Sequence, residues 1–278
     1  MYTKVLVGMV LTLVTLVGSE TLATARAARV NRVTIDYVPP KNPAHRPIYE
    51  QLKDRNFLEK LQKFLSPIRL PRALLVKLDG CNGEADAFYD SDVITICYEY
   101  IDHLRNTMPA ETTPAGVTPI DALEGPLFDT CLHEAAHALF DMLEVPVLGR
   151  EEDAADQLSS FIILQLGKEE ARRVIGGVAY AFKTEAAAKA PPTMTEFAGV
   201  HGTPAQRAYN VLCIAYGADH EFFGYIVDDG YLPKKRAEEC EFEYEQVAYA
   251  YQKLISPYVD RRRAKKVLDT RWLRPQGK

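Results

Sequence analysis

Residues 127–143 read LFDTCLHEAAHALFDML, and this stretch decides the fold around it. It contains no glycine or proline, and its apolar residues recur at helical spacing, so it predicts a buried helix. His133, Glu134 and His137 stand in the middle of it. Positions i and i+4 of a helix share one face and lie about 6 Å apart along the axis, so both imidazoles can reach a single ion.

This pair of histidines predicts a zinc site with one Zn²⁺ per chain. Neutral imidazole suits zinc, and a catalytic zinc site has three protein ligands and a fourth position for water. Glu134 stands beside the pair and is the candidate general base on the zinc-bound water. Burying these polar side chains in an apolar helix is costly unless a partner satisfies them, and a bound cation would do so.

The next helical segment offers a third ligand. Residues 149–156 read GREEDAAD, in which Glu152 and Asp156 are four apart and share a helix face. Glu152 would complete a His₂Glu set, and Asp156 would accept the second ring N–H of a ligating histidine. Acidic residues also stabilise a helix N-terminus, and Glu151 and Asp153 fit that role better than ligation.

His-Glu-x-x-His followed by Glu-x-x-x-Asp on the next helix resembles the gluzincin group of zinc peptidases, which includes thermolysin. The resemblance implies that His133, His137 and Glu152 hold zinc, with Glu134 catalytic and Asp156 as the supporting carboxylate. The interval of 15 residues from His137 to Glu152 departs from the thermolysin group, because it leaves little room for inserted structure between the two helices.

A longer stretch, roughly residues 46–256, is similar to an uncharacterised family of exported bacterial metallopeptidases. The matching segments include Cys81–Ala85, Cys97–Tyr100 and Gly149–Gln157. This resemblance implies a peptidase with a single zincin-like domain over residues 46–256.

Two further features are candidates for handling a substrate. His201, in a turn before a predicted helix, could stabilise the oxyanion of the reaction, or it could be a surface histidine. Arg207 on that helix could orient a carboxylate or a substrate carbonyl, or it could lie exposed. The segment Ala85–Tyr89 could bind an extended peptide by strand pairing, or it could be an ordinary core hairpin.

The N-terminus has the pattern of a signal peptide over residues 1–27. Lys4 precedes an apolar run from Val5 to Val17, and small residues follow at the spacing that signal peptidase accepts. That run is too short for a membrane span, so we expect export to the periplasm or the medium, with no stable span in the mature chain. Export permits disulfides.

Five cysteines allow two bridges at most, and their spacing alone does not settle the pairing. Cys81 and Cys97 flank a predicted hairpin, while Cys213 and Cys240 lie on predicted late helices. We therefore favour the pairs Cys81–Cys97 and Cys213–Cys240. Cys131 would then be a free thiol packed in the core.

The remaining pattern predicts an α+β protein with a small antiparallel sheet or hairpin in its N-terminal part, followed by a predominantly helical zincin-like body. Residues 28–45 are predicted as an extended arm. Residues 257–278 form a basic tail that is either solvated or in weak contact with an anionic envelope surface. The net charge of −5 does not indicate the basic surface that binding to nucleic acid requires.

The leading hypothesis is thus a zinc peptidase that hydrolyses peptide bonds in peptides or proteins outside the cytoplasm. Two alternatives stay open. One is a zinc-stabilised envelope binding module without catalysis, which a closed four-ligand site would favour. The other is a zinc hydrolase of a non-peptide bond, because zinc chemistry alone does not determine which kind of bond is hydrolysed.

Overall fold

The computed structural model describes residues 32–188 and 191–273, and these form a helical body with a small sheet. The predicted α+β class is confirmed. The predicted signal peptide, residues 1–27, lies outside the described residues. Within the described part, no helix has the length and apolar character needed to cross a bilayer.

The described sheet has four strands in the spatial order β1-β2-β4-β3, which are β1 (Val33–Tyr37), β2 (Leu74–Asp79), β3 (Ala87–Asp90) and β4 (Val93–Cys97). The predicted hairpin is present as β3 and β4, which pair antiparallel. Both β1 and β4, however, pair in parallel with β2. The sheet is therefore mixed rather than antiparallel, because two helices connect β1 to β2 and return the chain in the same direction. Strand β1 belongs to the segment predicted as an extended arm.

The described residues form twelve α-helices, of which two lie between β1 and β2, the rest follow β4, and several are single turns. They are α1 (Arg46–Asp54), α2 (Phe57–Leu65), α3 (Tyr98–Thr107), α4 (Pro119–Met142), α5 (Glu151–Ile163), α6 (Lys168–Ala188), α7 (Met194–Phe197), α8 (Pro204–Ala218), α9 (Tyr225–Asp228), α10 (Lys234–Ala237), α11 (Cys240–Leu254) and α12 (Arg261–Leu268).

Helix α4 is the central element of the body. Its N-terminus is closed by a capping box in which Thr118 accepts from the backbone of Asp121, with Pro119 at the first helical position. It packs against α3, α5, α6, β3 and β4. Apolar residues on several sides of it are buried, among them Leu132 and Leu139. This burial holds the His-Glu-x-x-His segment in a rigid frame.

Helices α4 and α6 pack with their backbones in close approach. A Cβ atom at Gly177 would lie 2.1 Å from the carbonyl oxygen of Asp121, and one at Gly125 would lie 3.0 Å from that of Val174. Only glycine fits such a contact without moving a helix. The close packing brings Val178 and Phe182 of α6 beside the polar face of α4.

Both predicted disulfides are confirmed: Cys81–Cys97 and Cys213–Cys240 are bonded. Cys131 is free and buried, as predicted. The first bridge ties the turn before β3 to the end of β4, and the second ties α8 to α11.

The C-terminal segment is packed against the body as far as residue 273, rather than solvated. Trp272 stands edge-on to Phe64, with ring centroids 4.9 Å apart. Leu273 is buried, and its backbone N–H donates to Glu170 at 2.8 Å. This packing comes from the apolar residues Val267, Trp272 and Leu273. The many basic residues around them led to the prediction of a basic tail.

Candidate metal centre

The candidate centre lies where the chain reverses direction sharply between α4 and α5. Glu144 and Gly149 both have positive φ, at 52° and 103°, and Gly149 leads directly into α5. Glycine takes this backbone conformation without steric cost. The reversal lays the first turn of α5 against the middle of α4, so an interval of 15 residues from His137 is enough to bring Glu152 to the two histidines.

Three ligand atoms converge at this point. The Nε2 atoms of His133 and His137 are 3.1 Å apart, and Glu152 Oε2 lies 3.1 Å from the first and 3.2 Å from the second. They form a nearly equilateral triangle. Among the described residues, these three form a group able to hold a metal ion.

The outer nitrogens of both rings are occupied by carboxylates. His133 Nδ1 lies 2.8 Å from Asp156 Oδ1, and His137 Nδ1 lies 2.8 Å from Glu151 Oε1. Because an ionised carboxylate only accepts hydrogen bonds, each Nδ1 carries the proton. On a neutral ring, each Nε2 then presents a lone pair to the other and to Glu152. Lone pairs at this separation repel one another unless a proton or a metal ion lies between them, so a metal ion can take the place that a proton on His133 Nε2 would otherwise fill.

The electrostatics of the cluster favour positive charge at the same point. Burial alone would lower the pKa of His133, but the hydrogen bonds with Asp156 and Glu152 outweigh it and raise this pKa to about 10. The hydrogen bond with His133 lowers the pKa of Glu152 to about 2. A divalent cation supplies the positive charge that these carboxylates favour at the Nε2 position.

Asp156 is held from the other side by Arg207. The guanidinium donates from Nε to Oδ2 and from Nη2 to Oδ1, both at 2.7 Å, in a bidentate pair. Burial would raise the pKa of Asp156, but the bonds with His133 and Arg207 outweigh it and lower it. Arg207 also lies over the ring of Phe182, with 4.4 Å from Cζ to the centroid. Of the alternatives for Arg207, the structure thus shows the carboxylate-orienting one.

Glu134 is buried, with a relative exposure of 6%, yet its side chain lines the cleft above the cluster. It makes no hydrogen bond to another described residue. Burial raises its pKa to about 7. A carboxyl group of this kind is poised to exchange a proton near neutral pH.

His201 reaches the cluster from the turn before α8. Its Nε2 lies 2.8 Å from Glu152 Oε2, and its ring stacks on that of His133 with centroids 5.9 Å apart. Its side chain is 46% exposed. Burial of the remainder and the nearby Arg207 lower its pKa. The structure thus brings together all six residues predicted for the site.

The cluster opens into a cleft of about 740 Å³. One wall is the edge strand β3 with residues 85 and 86 before it, and the opposite wall comes from α6. The N–H of Cys97 donates to the carbonyl of Asp86 at 3.2 Å. Because antiparallel pairing alternates, the backbone groups of Ala87 and Tyr89 point away from β4 and towards the free edge.

Two residues of the site were not predicted in these roles. Glu151, expected only to cap α5, orients His137. Asp129 lies four residues before His133 on the same face of α4, and its Oδ1 accepts from Ser159 Oγ at 2.7 Å. Extending the i, i+4 pattern of the histidines by one step towards the N-terminus would have found Asp129.

Comparison with known proteins gives one family. The family model described as "Putative metallopeptidase" matches residues 37–255, a segment that contains the whole cluster and most of the chain. Neither the curated proteins nor the solved structures contain a match to this chain.

Proposed function

The chain belongs to this metallopeptidase family, and on that premise we propose that it is a zinc-dependent peptidase that cleaves peptides or proteins outside the cytoplasm. The observation that carries the proposal is the convergence of His133, His137 and Glu152 beside the buried carboxyl group of Glu134. The two disulfides support a location outside the cytoplasm, where such bonds persist.

The spacing of the three ligand atoms supports zinc. Ligands at about 2.0–2.1 Å from a tetrahedral zinc ion are separated by roughly 3.3 Å. The observed separations of 3.1–3.2 Å are close to that value. A set of three protein ligands leaves one position for water or substrate, as in catalytic rather than structural zinc sites.

Zinc, when bound, supplies a Lewis acid that polarises the substrate carbonyl and acidifies a water molecule. Glu134 takes a proton from the attacking water and later passes it to the leaving amine. Its pKa of about 7 suits both transfers. His201, beside the ligand triangle, donates an N–H to the oxyanion that develops on the substrate.

Strand β3 is the proposed support for the peptide backbone. Its free edge presents the backbone groups of Ala87 and Tyr89 to the cleft, so an extended peptide can pair with it. Asp86 Oδ1 accepts from the N–H of Ala87 at 2.9 Å, and a substrate carbonyl would replace it there. This pairing would lay the scissile bond across α4, where the cluster lies.

The chain from residue 28 onwards, purified and incubated with a mixed peptide library, tests the proposal. We expect about one zinc per chain and cleavage of part of the library. A protein that binds zinc fully but cleaves nothing in a broad library would contradict the peptidase proposal and favour a binding module. Cleavage of ester or amide substrates without cleavage of peptides would favour a hydrolase of another bond.

The buried pair of Asp156 and Arg207 makes a second prediction. Asp156→Asn should weaken zinc binding about 10- to 100-fold, because His133 loses the charged acceptor that orients its ring. Competition with a chelating dye measures this affinity. Asp153→Asn is the matched control, since Asp153, on the same helix, pairs among the described residues with Arg150 near the surface. Equal zinc affinities for the two variants would show that Asp156 does not support the ligand.

A further inference from the structure

A carboxylate that the mechanism does not use stands at the inner end of the cleft. Asp129 is only 5% exposed, and its side chain lines the cleft. Its Oδ1 accepts from Ser159. Its Oδ2 has neither a hydrogen-bond partner nor an ion pair among the described residues. Asp129 as a whole is almost removed from water, while this oxygen stays available to a group in the cleft, so a cationic group that bonded to it would offset the cost of burying the carboxylate.

In the described cleft, the residues around Asp129 supply further hydroxyl and carboxylate oxygens but no lysine or arginine available to pair with it. The hydroxyl groups of Tyr100 and Thr130, which also line the cleft, lie 2.7 Å from each other. Arg207 is the one lysine or arginine that lines the described cleft, and its two hydrogen-bonding nitrogens are committed to Asp156. Six carboxylates line the same cleft: Asp86, Asp129, Glu134, Glu151, Glu152 and Glu185.

We propose that Asp129 binds the cationic side chain of a lysine or arginine next to the scissile bond, so that the protein cleaves basic peptides. This inference rests on the proposed peptidase function. The distance from Asp129 to the metal cluster agrees with this inference, because Asp129 precedes His133 by one helical turn, or about 6 Å along the axis. A lysine side chain is of similar length, so its residue would adjoin the bond placed at the cluster.

The charge state of Asp129 agrees with a cationic ligand. Burial, and secondarily the nearby Asp156, raise its pKa to about 6. At neutral pH the carboxylate is therefore largely ionised in an environment that disfavours its charge. A bound ammonium or guanidinium group would relieve this cost by a charge-assisted hydrogen bond.

Matched peptides that carry either lysine or norleucine beside the cleaved bond test the proposal. Norleucine keeps the aliphatic chain and lacks the ammonium group. We expect the wild type to cleave the lysine peptide with a kcat/KM about 10- to 100-fold higher, because a site built to bind a polar group rejects an analogue that lacks it. Asp129→Asn should abolish this ratio, because cleavage of the lysine peptide should fall much further than cleavage of the norleucine peptide.

Two controls separate this role from general effects. Glu185→Gln removes the same charge from another wall of the cleft and should change the lysine preference by less than about threefold. Asp129→Glu, with its carboxylate retained, should keep part of the preference. Equal loss for both peptides in Asp129→Asn would show a structural role and overturn the inference.

The wild-type comparison stands even if a variant does not fold. Efficient cleavage of both peptides without preference overturns the inference and leaves the peptidase proposal intact. Failure to cleave either peptide, or any member of the mixed library, with zinc bound overturns the peptidase proposal and the inference with it.

Discussion

Replacing Glu134 with glutamine should lower kcat about 10²- to 10⁴-fold while zinc binding and folding are preserved. Glutamine keeps the size of the side chain and a carbonyl oxygen, but it cannot take a proton from water. Glu134 makes no hydrogen bond to a described residue, so the substitution breaks no contact within the cluster. The large loss of turnover should thus come without loss of structure.

Cleavage kinetics, zinc content and the thermal midpoint of Glu134→Gln measure these three properties separately. Glu144→Gln is a suitable control, because Glu144 is exposed just beyond the end of α4. It should match wild type in all three. Undiminished turnover in Glu134→Gln would remove Glu134 from the chemistry and, with it, the proposed mechanism.

Replacing His137 with alanine should remove both the metal and the activity. It deletes one of three ligands and leaves His133 and Glu152, too few for a catalytic zinc site. Glu152→Gln should have a weaker effect on zinc affinity, because the neutral amide that replaces the charged ligand still offers one oxygen. Activity should fall to background in the first variant and in proportion to bound zinc in the second.

Thermal unfolding with and without added zinc tests this prediction without reference to activity. Zinc binds the folded state, so at 100 times Kd it stabilises wild type by about 2.7 kcal/mol. His137→Ala should lose that response. His103→Ala, which removes an exposed cleft histidine outside the cluster, should retain it. A full equivalent of zinc in His137→Ala would refute the ligand assignment.

The ligand cluster could be predicted because its determinants are local. His133 and His137 are one turn apart on a helix that the spacing of its apolar residues predicts, and Glu152 and Asp156 have the same spacing. Helical periodicity alone then places each pair on one face. The remaining requirement was that the chain reverse at Gly149 and bring the two helix faces together. The connection between the two helices is short, so few other arrangements were possible.

Apart from the bond between His133 and Asp156, the partners that support the cluster could not be predicted, because these contacts join distant parts of the chain. Arg207 and Asp156 are 51 residues apart, and Ser159 and Asp129 belong to different helices. Periodicity shows that Arg207 is on a helix but not which neighbour it faces. Strand β1 was missed for a related reason: its parallel partner β2 comes after two helices, and Pro39 and Pro40 suggested an extended arm.

Zinc titration of the metal-depleted protein tests the central claim most directly. The rate of peptide cleavage is followed while zinc is added in fractions of an equivalent. The account predicts a negligible rate without zinc, a linear rise, and a break at one equivalent per chain. Cleavage at full rate by the metal-depleted protein, or no cleavage after one equivalent has bound, would contradict it.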